Sequence, residues 1–329
     1  MASIHSYGAY LPRPRVNVKD IHSFFGRPGR PRARTLATPG LDEDPLTMAY
    51  EAAYEALGTG GTAGSVVSVS QSAPVGMRKM SATLAETLRL DQDVTTVDLA
   101  GHPGGLLDAL ELGGLLAERT GAPSVVVATD HIVSYEERVA DTLSAGGAAA
   151  FVVGGADGFA DLGEIARHRE EVFDVWLLGR ELEPRYRLEV LAQSYAHAAK
   201  HALGGLEKLT ERPASDYKLA AVSQPHPQPL RALGRLGVSK DALEPTTFVG
   251  EIGNLGSASL GLSLALGFDN ARKGQRILAF GYGSGEGIAQ DIEITATVPK
   301  IGAVDRVPGD EIAIGTYYRW TRGRQAEPH

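Results

Sequence analysis

The chain has 329 residues, no cysteine and a formal net charge of −8. Without cysteine there is no disulfide framework and no thiolate metal site. An acidic balance argues against nucleic-acid binding, which needs clustered positive charge to displace counterions. No apolar run approaches the roughly 20 residues needed to cross a bilayer, and Met1-Ala2-Ser3-Ile4-His5 lacks the charged and apolar regions of a signal peptide, so a cytoplasmic protein is expected.

Abundant small residues, 40 of them glycine, suit helices packed closely on sheets. In chain order, Asp44-Pro45 supplies a cap and a first-turn signal for a helix through Leu57, with Met48, Ala49, Ala52, Ala53 and Ala56 on one face. Residues 65–70 then read as a buried strand, 79–90 as a helix, 94–99 as a strand, 104–119 as a helix, and 124–129 and 145–153 as strands. The second half repeats the scheme. A helix is expected over 188–203, a strand over 218–223, a helix over 229–236, a strand over 246–249, a helix over 257–270, and strands over 276–282 and 288–298. The alternation predicts crossover units and a mostly parallel sheet in each of two pseudo-duplicated halves, 1–165 and 166–329, with a loose polar tail after Thr321.

Gly26-Arg27-Pro28-Gly29-Arg30-Pro31-Arg32-Ala33-Arg34 stands apart. Four arginines among Pro and Gly cannot form the interior of a helix or strand, so the segment is a loop. Arg27, Arg30, Arg32 and Arg34 are candidates for holding the phosphates of a nucleotide-bearing ligand; the competing reading is a solvated or subunit-facing loop.

At Asp98-Leu99-Ala100-Gly101-His102-Pro103-Gly104-Gly105 a strand gives way to an apolar helix. Such a junction suits a nucleophile aimed into a helix N-terminus, whose free N–H groups and dipole lower a thiol's pKa. No thiol is present.

Several segments read together carry a family resemblance. Glu251-Ile252-Gly253-Asn254-Leu255-Gly256-Ser257-Ala258-Ser259 follows Glu244-Pro245 and leads into an apolar helix. After it come Ala271-Arg272-Lys273-Gly274-Gln275-Arg276-Ile277-Leu278 and Gly281-Tyr282-Gly283-Ser284-Gly285. Asp42-Glu43-Asp44 with Met48-Ala49, Asp174-Val175-Trp176, Tyr195 after Pro184-Arg185, and Gly315-Thr316-Tyr317-Tyr318-Arg319-Trp320 fit the same pattern. Together they resemble the hydroxymethylglutaryl-CoA synthase branch of the thiolase superfamily, over nearly the whole chain and with no single motif deciding it.

The resemblance implies an α/β fold of five layers, αβαβα, built from two mixed-sheet halves. In that family a cysteine at the N-terminus of a buried helix is the nucleophile, a Glu of the first half is the base, and a His and an Asn of the second half polarise the thioester carbonyl. Carried onto this sequence, the nucleophile's place falls on Gly101, the base on Gln71 within Val69-Ser70-Gln71-Ser72, and the histidine on Ser223 within Ser223-Gln224-Pro225. Asn254 alone matches. An amide cannot take up a proton near neutrality, so the family's acylation and condensation chemistry is expected to be absent. His102 and His226 are the substitutes to consider.

The resemblance therefore implies a cysteine-less accessory subunit, as in multicomponent phloroglucinol-type acetyltransferases and archaeal thiolase–synthase complexes. Its partners would be a thiolase and a small OB-fold protein, often with a zinc ribbon. CoA or an acyl-CoA would be the ligand, no cofactor would be bound covalently, and residues 95–99 would pair across a homodimer twofold. Two other readings stay open: an enzyme acting on a CoA thioester without cysteine, using Asn254 and the N–H groups of 101–104 as an oxyanion site, or a module that only binds acyl-CoA. The remaining signals are weaker. The glycine-rich 281–287 segment is followed by a strand-like pattern, so a turn is expected there and not a dinucleotide loop. The nine histidines offer no pair at zinc-ligand spacing backed by acids, so no metal site is expected. Asp130-His131 near Ser134 is too local to converge as a triad.

Overall fold

The computed structural model describes residues 2–27, 31–100, 102–132, 143–178 and 184–323. The first half contains β1 (Ser3–Tyr10), β2 (Pro14–Asn17), α1 (Val18–Phe24), β3 (Thr35–Ala37), α2 (Pro45–Leu57), β4 (Ser65–Val69), α3 (Met80–Thr87), β5 (Thr95–Leu99), α4 (Leu106–Thr120), β6 (Ser124–His131) and β7 (Gly146–Gly154). The second contains β8 (Ala160–Arg169), β9 (Val175–Trp176), β10 (Arg185–Tyr186), α5 (Leu188–Thr210), β11 (Leu219–Val222), α6 (Leu230–Arg235), α7 (Lys240–Leu243), α8 (Val249–Ile252), α9 (Ala258–Asn270), β12 (Arg276–Gly283), β13 (Glu286–Ile294), β14 (Asp310–Ile312) and α10 (Ile314–Gly323).

Nine strands join in the order β11-β12-β13-β8-β1-β7-β6-β4-β5. The halves touch within it at β1 and β8, through Ser3 opposite Asp161 and Ile4 opposite Ala160. Strand alternation sorts the side chains between layers. Val66, Val125, Val127, Ala148, Ala150 and Val152 face outward onto α2 and α3, whereas Val67, Val126, Ala149, Phe151 and Val153 face inward. In the second half Leu219, Ala221, Ile277 and Ala279 face inward, and Ala220, Val222, Leu278 and Phe280 face α5. α4 and α9 lie side by side between the two halves of this sheet, which completes the αβαβα order expected. α9 is buried from Ala258 to Phe268. A helix apolar on all sides is stable only in such a middle layer.

Local chemistry explains the ends of α2. The Asp44 carboxylate accepts from the Thr47 N–H at 2.8 Å, the Thr47 hydroxyl accepts from the Asp44 N–H at 2.8 Å, and Pro45 opens the helix.

Some expectations are corrected. The sheet is mixed: β4 is parallel to β5 and β6, and β11 to β12, while β1–β7, β6–β7, β12–β13 and β13–β8 are antiparallel. Parallel pairing appears where a helix crosses over, and the β12–β13 hairpin has no room for one. Residues 246–249 form no strand; a 3₁₀ turn (Glu244–Thr246) passes into α8. The Gln224 amide meets that backbone, its Oε1 accepting from the Phe248 and Val249 N–H groups and its Nε2 donating to the Thr246 carbonyl. The position 165/166 between the two expected halves falls within β8. α10 runs on to Gly323, and residues 324–329 lie outside the described residues. No helix among the described residues is long and apolar enough to cross a membrane.

Candidate functional site

The site lies where the C-terminal ends of strands from both halves meet the N-terminus of α4. Gly101, at the nucleophile's place, lies outside the described residues. Its neighbour His102 fills the helix entrance. The Gly104 N–H donates to His102 Nδ1 at 2.9 Å, and the Gly105 N–H donates to the His102 carbonyl at 3.1 Å. That leaves Nε2 as the protonated nitrogen, 3.1 Å from Glu286 Oε2. Burial pushes the imidazole pKa below its ordinary value, although Glu286 and Asp108 pull it up. The Gly104 N–H expected to help form an oxyanion site is therefore already bonded. Gly104 also needs to be glycine: a Cβ there would come within 2.7 Å of the Tyr282 backbone.

Opposite the turn, Gln71 lines the cleft with its amide loosely tied to Asp130. Its Nε2 lies 3.4 Å from Asp130 Oδ2, and its backbone N–H donates to Asp130 Oδ1 at 2.7 Å. Asp130 is fully buried and also accepts from the Ser70 hydroxyl, from the Ser72 N–H and hydroxyl, and from the Ser257 N–H at 2.7 Å. This carboxylate ties the loop after β4 to the loop before α9. In the sequence Asp130 stands out only beside His131 and Ser134, too close to them to form a triad. The structure makes it a brace, and Ser134 lies outside the described residues.

Asn254 matches the family pattern but is engaged within its own loop. Its Oδ1 accepts from the Gly256 N–H at 2.9 Å and from the Ser259 hydroxyl at 3.2 Å. The backbone is pinned on both sides, with the Asn254 N–H donating to the Leu143 carbonyl and the Ala145 N–H donating to the Asn254 carbonyl. Gly256 has φ +57°, and a Cβ there would strike Asp130.

The second-half wall is a hydrogen-bonded group that the sequence did not reveal. The Ser223 hydroxyl accepts from the Tyr282 N–H at 3.1 Å, and the Ser223 carbonyl accepts from the Tyr195 hydroxyl at 3.0 Å. Tyr282 in turn donates to Asp174 at 2.5 Å and meets the Ser194 hydroxyl of α5. Burial, followed by the Asp174 bond, raises the Tyr282 phenol far above its ordinary pKa, so it acts as a neutral donor. Ser284 (φ +50°) and Gly285 (φ +80°) make the two-residue hairpin turn between β12 and β13, as expected in place of a dinucleotide loop.

These walls enclose a cavity of about 50 Å³ lined by Gln71, Pro103, Tyr186, Ser223, Asn254 and Tyr282, among others. At roughly 10–15 Å³ per water on the same measure, it holds a few waters or a very small group. Neither His102 nor His226 is among the described residues lining it. His226 is buried, its Nδ1 accepts from the Gln228 N–H at 3.0 Å, and burial followed by Arg32 lowers its pKa to about 4.

The described part of the arginine segment is a loop, as expected. Arg32 and Arg34 border an open groove of about 630 Å³ with Asn17, Lys19 and Gly250, and Arg34 lies 3.6 Å from Glu251. Arg27 sits over the Phe25 ring at 5.0 Å and does not line that groove; Arg30 lies outside the described residues. His102, Asp108 and Glu286 lie close enough to share a cation, but Arg167 already pairs with Asp108 at 3.0 Å.

No family model matches the sequence. Known proteins do. The chain is 31% identical to a hydroxymethylglutaryl-CoA synthase of Methanothermobacter thermautotrophicus over 309 residues, covering 87% of this chain and 86% of that protein. It is 28% identical to the synthase of Methanocaldococcus jannaschii over 315 residues, covering 92% and 91%. Among solved structures, an HMG-CoA synthase complexed with CoA superimposes with a TM-score of 0.87 at 16% identity, over 97% of this chain and 89% of that one.

Proposed function

The chain belongs to the hydroxymethylglutaryl-CoA synthase family, and from that premise we propose that it is an accessory subunit of a multicomponent acyltransferase and does not form the family's acyl-enzyme itself. The observation that carries this reading is the state of the four aligned positions. The chain has no cysteine, Gly101 stands at the nucleophile's place, Gln71 rests on Asp130, and Ser223 is bonded to the Tyr282 backbone. Asn254, the one match, braces its own loop. Gln71, Ser223 and Asn254 line one small cavity of about 50 Å³.

In this reading the protein supplies architecture. β5 is the free edge of the nine-stranded sheet and is only half-buried, unlike β4 beside it. Such an edge invites pairing with a second copy, which makes a homodimer through Thr95–Leu99. The acyl transfer belongs to a cysteine-bearing thiolase partner, bridged by a small OB-fold or zinc-ribbon protein. The groove beside Arg32 and Arg34 takes the phosphates of CoA or an acyl-CoA such as acetyl-CoA.

Mild affinity purification from the native cells, with mass spectrometry of bound proteins, tests the assignment. Stoichiometric recovery of a cysteine-bearing thiolase supports it; recovery of the homodimer alone overturns it. Within the subunit, Gly101→Cys is expected to yield no condensation with acetyl-CoA, because a base and a histidine are also missing. Turnover by that variant would mean the scaffold lacks only its thiol. Charge reversal at Arg32 and Arg34 is expected to abolish CoA binding, and unchanged affinity would remove CoA from the groove.

One observation favours a second reading. The His102 imidazole faces Glu286 at 3.1 Å, beside the helix entrance, and is held in its neutral form. Such a pair is competent for acid–base work on a CoA thioester without an acyl-cysteine. Turnover of an acyl-CoA panel by the isolated protein, lost in Glu286→Gln, would select this reading.

A further inference from the structure

On the outer face of the second half, away from the cleft, three of the nine histidines converge. His168 stands in β8, opposite Gly287 of β13. His197 and His201 lie one helical turn apart on α5, which packs across β8 and β13. Each offers a ring nitrogen, and these nitrogens all lie within 4.8 Å of one another. The rings of His168 and His201 are stacked with centroids 4.4 Å apart, and His197 sits 4.5 Å from His201 and 5.3 Å from His168.

Stacking alone leaves a defect. His168 Nε2 is buried and has no hydrogen-bond partner, an arrangement that costs free energy unless something else satisfies the nitrogen. His197 Nε2 lies 3.8 Å from a Glu170 carboxylate oxygen. Three imidazoles with a neighbouring carboxylate are a donor set suited to zinc, copper or nickel and poorly suited to calcium or magnesium.

We propose that His168, His197 and His201 form a site for a divalent transition-metal ion of the zinc class, with Glu170 as the fourth ligand or as the carboxylate that orients His197. Tetrahedral zinc at about 2.0–2.1 Å from each nitrogen sets its ligands roughly 3.4 Å apart. Binding would require the exposed His197 and His201 rings to turn toward His168 about their side-chain bonds. The unpartnered His168 nitrogen then acquires its partner in the ion. This departs from the expectation of no metal site: His197 and His201 are four residues apart on one helix, and the third imidazole comes from a strand 29 positions upstream of His197.

The ion would tie α5 to β8 one turn from Ser194 and Tyr195, the side chains that hold Tyr282 and the Ser223 carbonyl at the cleft wall. The chemistry is reversible coordination, and no bond of the protein is made or broken.

The test is equilibrium dialysis of the full-length, metal-stripped protein against zinc ion alone, followed by elemental analysis and a thermal melt. One zinc per chain and a raised melting temperature are expected. His168→Gln and His201→Gln are each expected to weaken binding at least about 10-fold, whereas His22→Gln, on α1, leaves it unchanged. Circular dichroism without metal establishes that each variant is folded; because His197 and His201 are exposed, His201→Gln keeps the test valid even if His168→Gln unfolds. Less than one zinc per chain in the parent protein, or equal binding by folded His168→Gln and His201→Gln, overturns the assignment.

Discussion

The loop over 251–259 and the turn between β5 and α4 face the same cavity from opposite halves of the molecule, and they are built differently. In the first, several bonds hold the backbone and one side-chain oxygen: Asn254 Oδ1 to Gly256 and Ser259, the Asn254 backbone to Leu143 and Ala145, and the Ser257 N–H to the buried Asp130. In the second, a single half-buried imidazole occupies the helix entrance, with the Gly104 N–H donating to its ring and the Gly105 N–H to the His102 carbonyl. An asparagine that could polarise a thioester also has a structural task here, whereas a nucleophile at the helix entrance would have only a chemical one. Polar groups with two tasks can outlast the loss of one, which is why a family residue in place is weak evidence of the family's reaction.

The comparison breaks first at Asp130. Asp130→Ala removes the acceptor shared by Ser70, Gln71, Ser72 and Ser257. Buried donors left unpaired cost about 1–3 kcal/mol each, partly recovered by relaxation, so a loss of about 3–5 kcal/mol is expected in urea denaturation. A loss below about 1 kcal/mol would mean that the loop before α9 is not held from the first half.

Acid sharpens it next, through His226. Its folded pKa of about 4 lies below the ordinary value of 6.5. Between those values the unfolded chain binds the extra proton, so the stabilising contribution is complete above pH 6.5 and declines as pH falls toward 4. At about 1.4 kcal/mol per unit, roughly 3 kcal/mol should disappear across that window. His226→Gln should flatten the stability profile between pH 6.5 and 4; a profile as steep as the parent's would assign the acid sensitivity elsewhere. Asp98 acts at lower pH. Burial alone would raise its carboxyl, but donors from Ser81, Ser68 and Met80 outweigh that and hold it below its ordinary value. Its contribution is therefore present above the unfolded carboxyl pKa and is lost only as pH falls through the lower folded one.

Asn254→Ala comes third. It deprives the Gly256 N–H and the Ser259 hydroxyl of one acceptor in a largely buried loop, and a cost of about 2 kcal/mol is expected. CoA affinity, measured by calorimetry, should not change. A clear drop in affinity with little loss of stability would make Asn254 a ligand-binding residue and dissolve the contrast with the turn.

The periodic elements were legible because their signals are local. Asp44-Pro45 announced α2, and the apolar run of α9 announced a buried helix. The site was legible only by position: Gln71, Ser223 and Asn254 do line one cavity. Their bonding was not legible, since Asp130 reaches Ser257 across 127 residues and Tyr282 reaches Asp174 across 108. Nor did local pattern reveal that residues 246–249 would turn instead of extending. Their backbone is satisfied by the Gln224 side chain, a long-range partner that mimics what a strand neighbour would have provided.

His102 gives the smallest effect and the finest test of the contrast. His102→Ala removes the acceptor of the Gly104 N–H, but the His102 side chain is 19% exposed, so water can reach the helix entrance. A cost of about 1 kcal/mol or less is expected, below that of Asn254→Ala. If the two variants instead cost the same, the imidazole is a structural plug, and the helix entrance has been rebuilt as firmly as the opposing loop. If His102→Ala stabilises the protein, the ring is held against its packing preference beside Glu286, which adds to the support for the acid–base reading of that pair. The denaturation midpoints of the two variants, measured side by side at pH 7.5, where His226 is neutral in both folded and unfolded chains, separate these cases without requiring any substrate to be known.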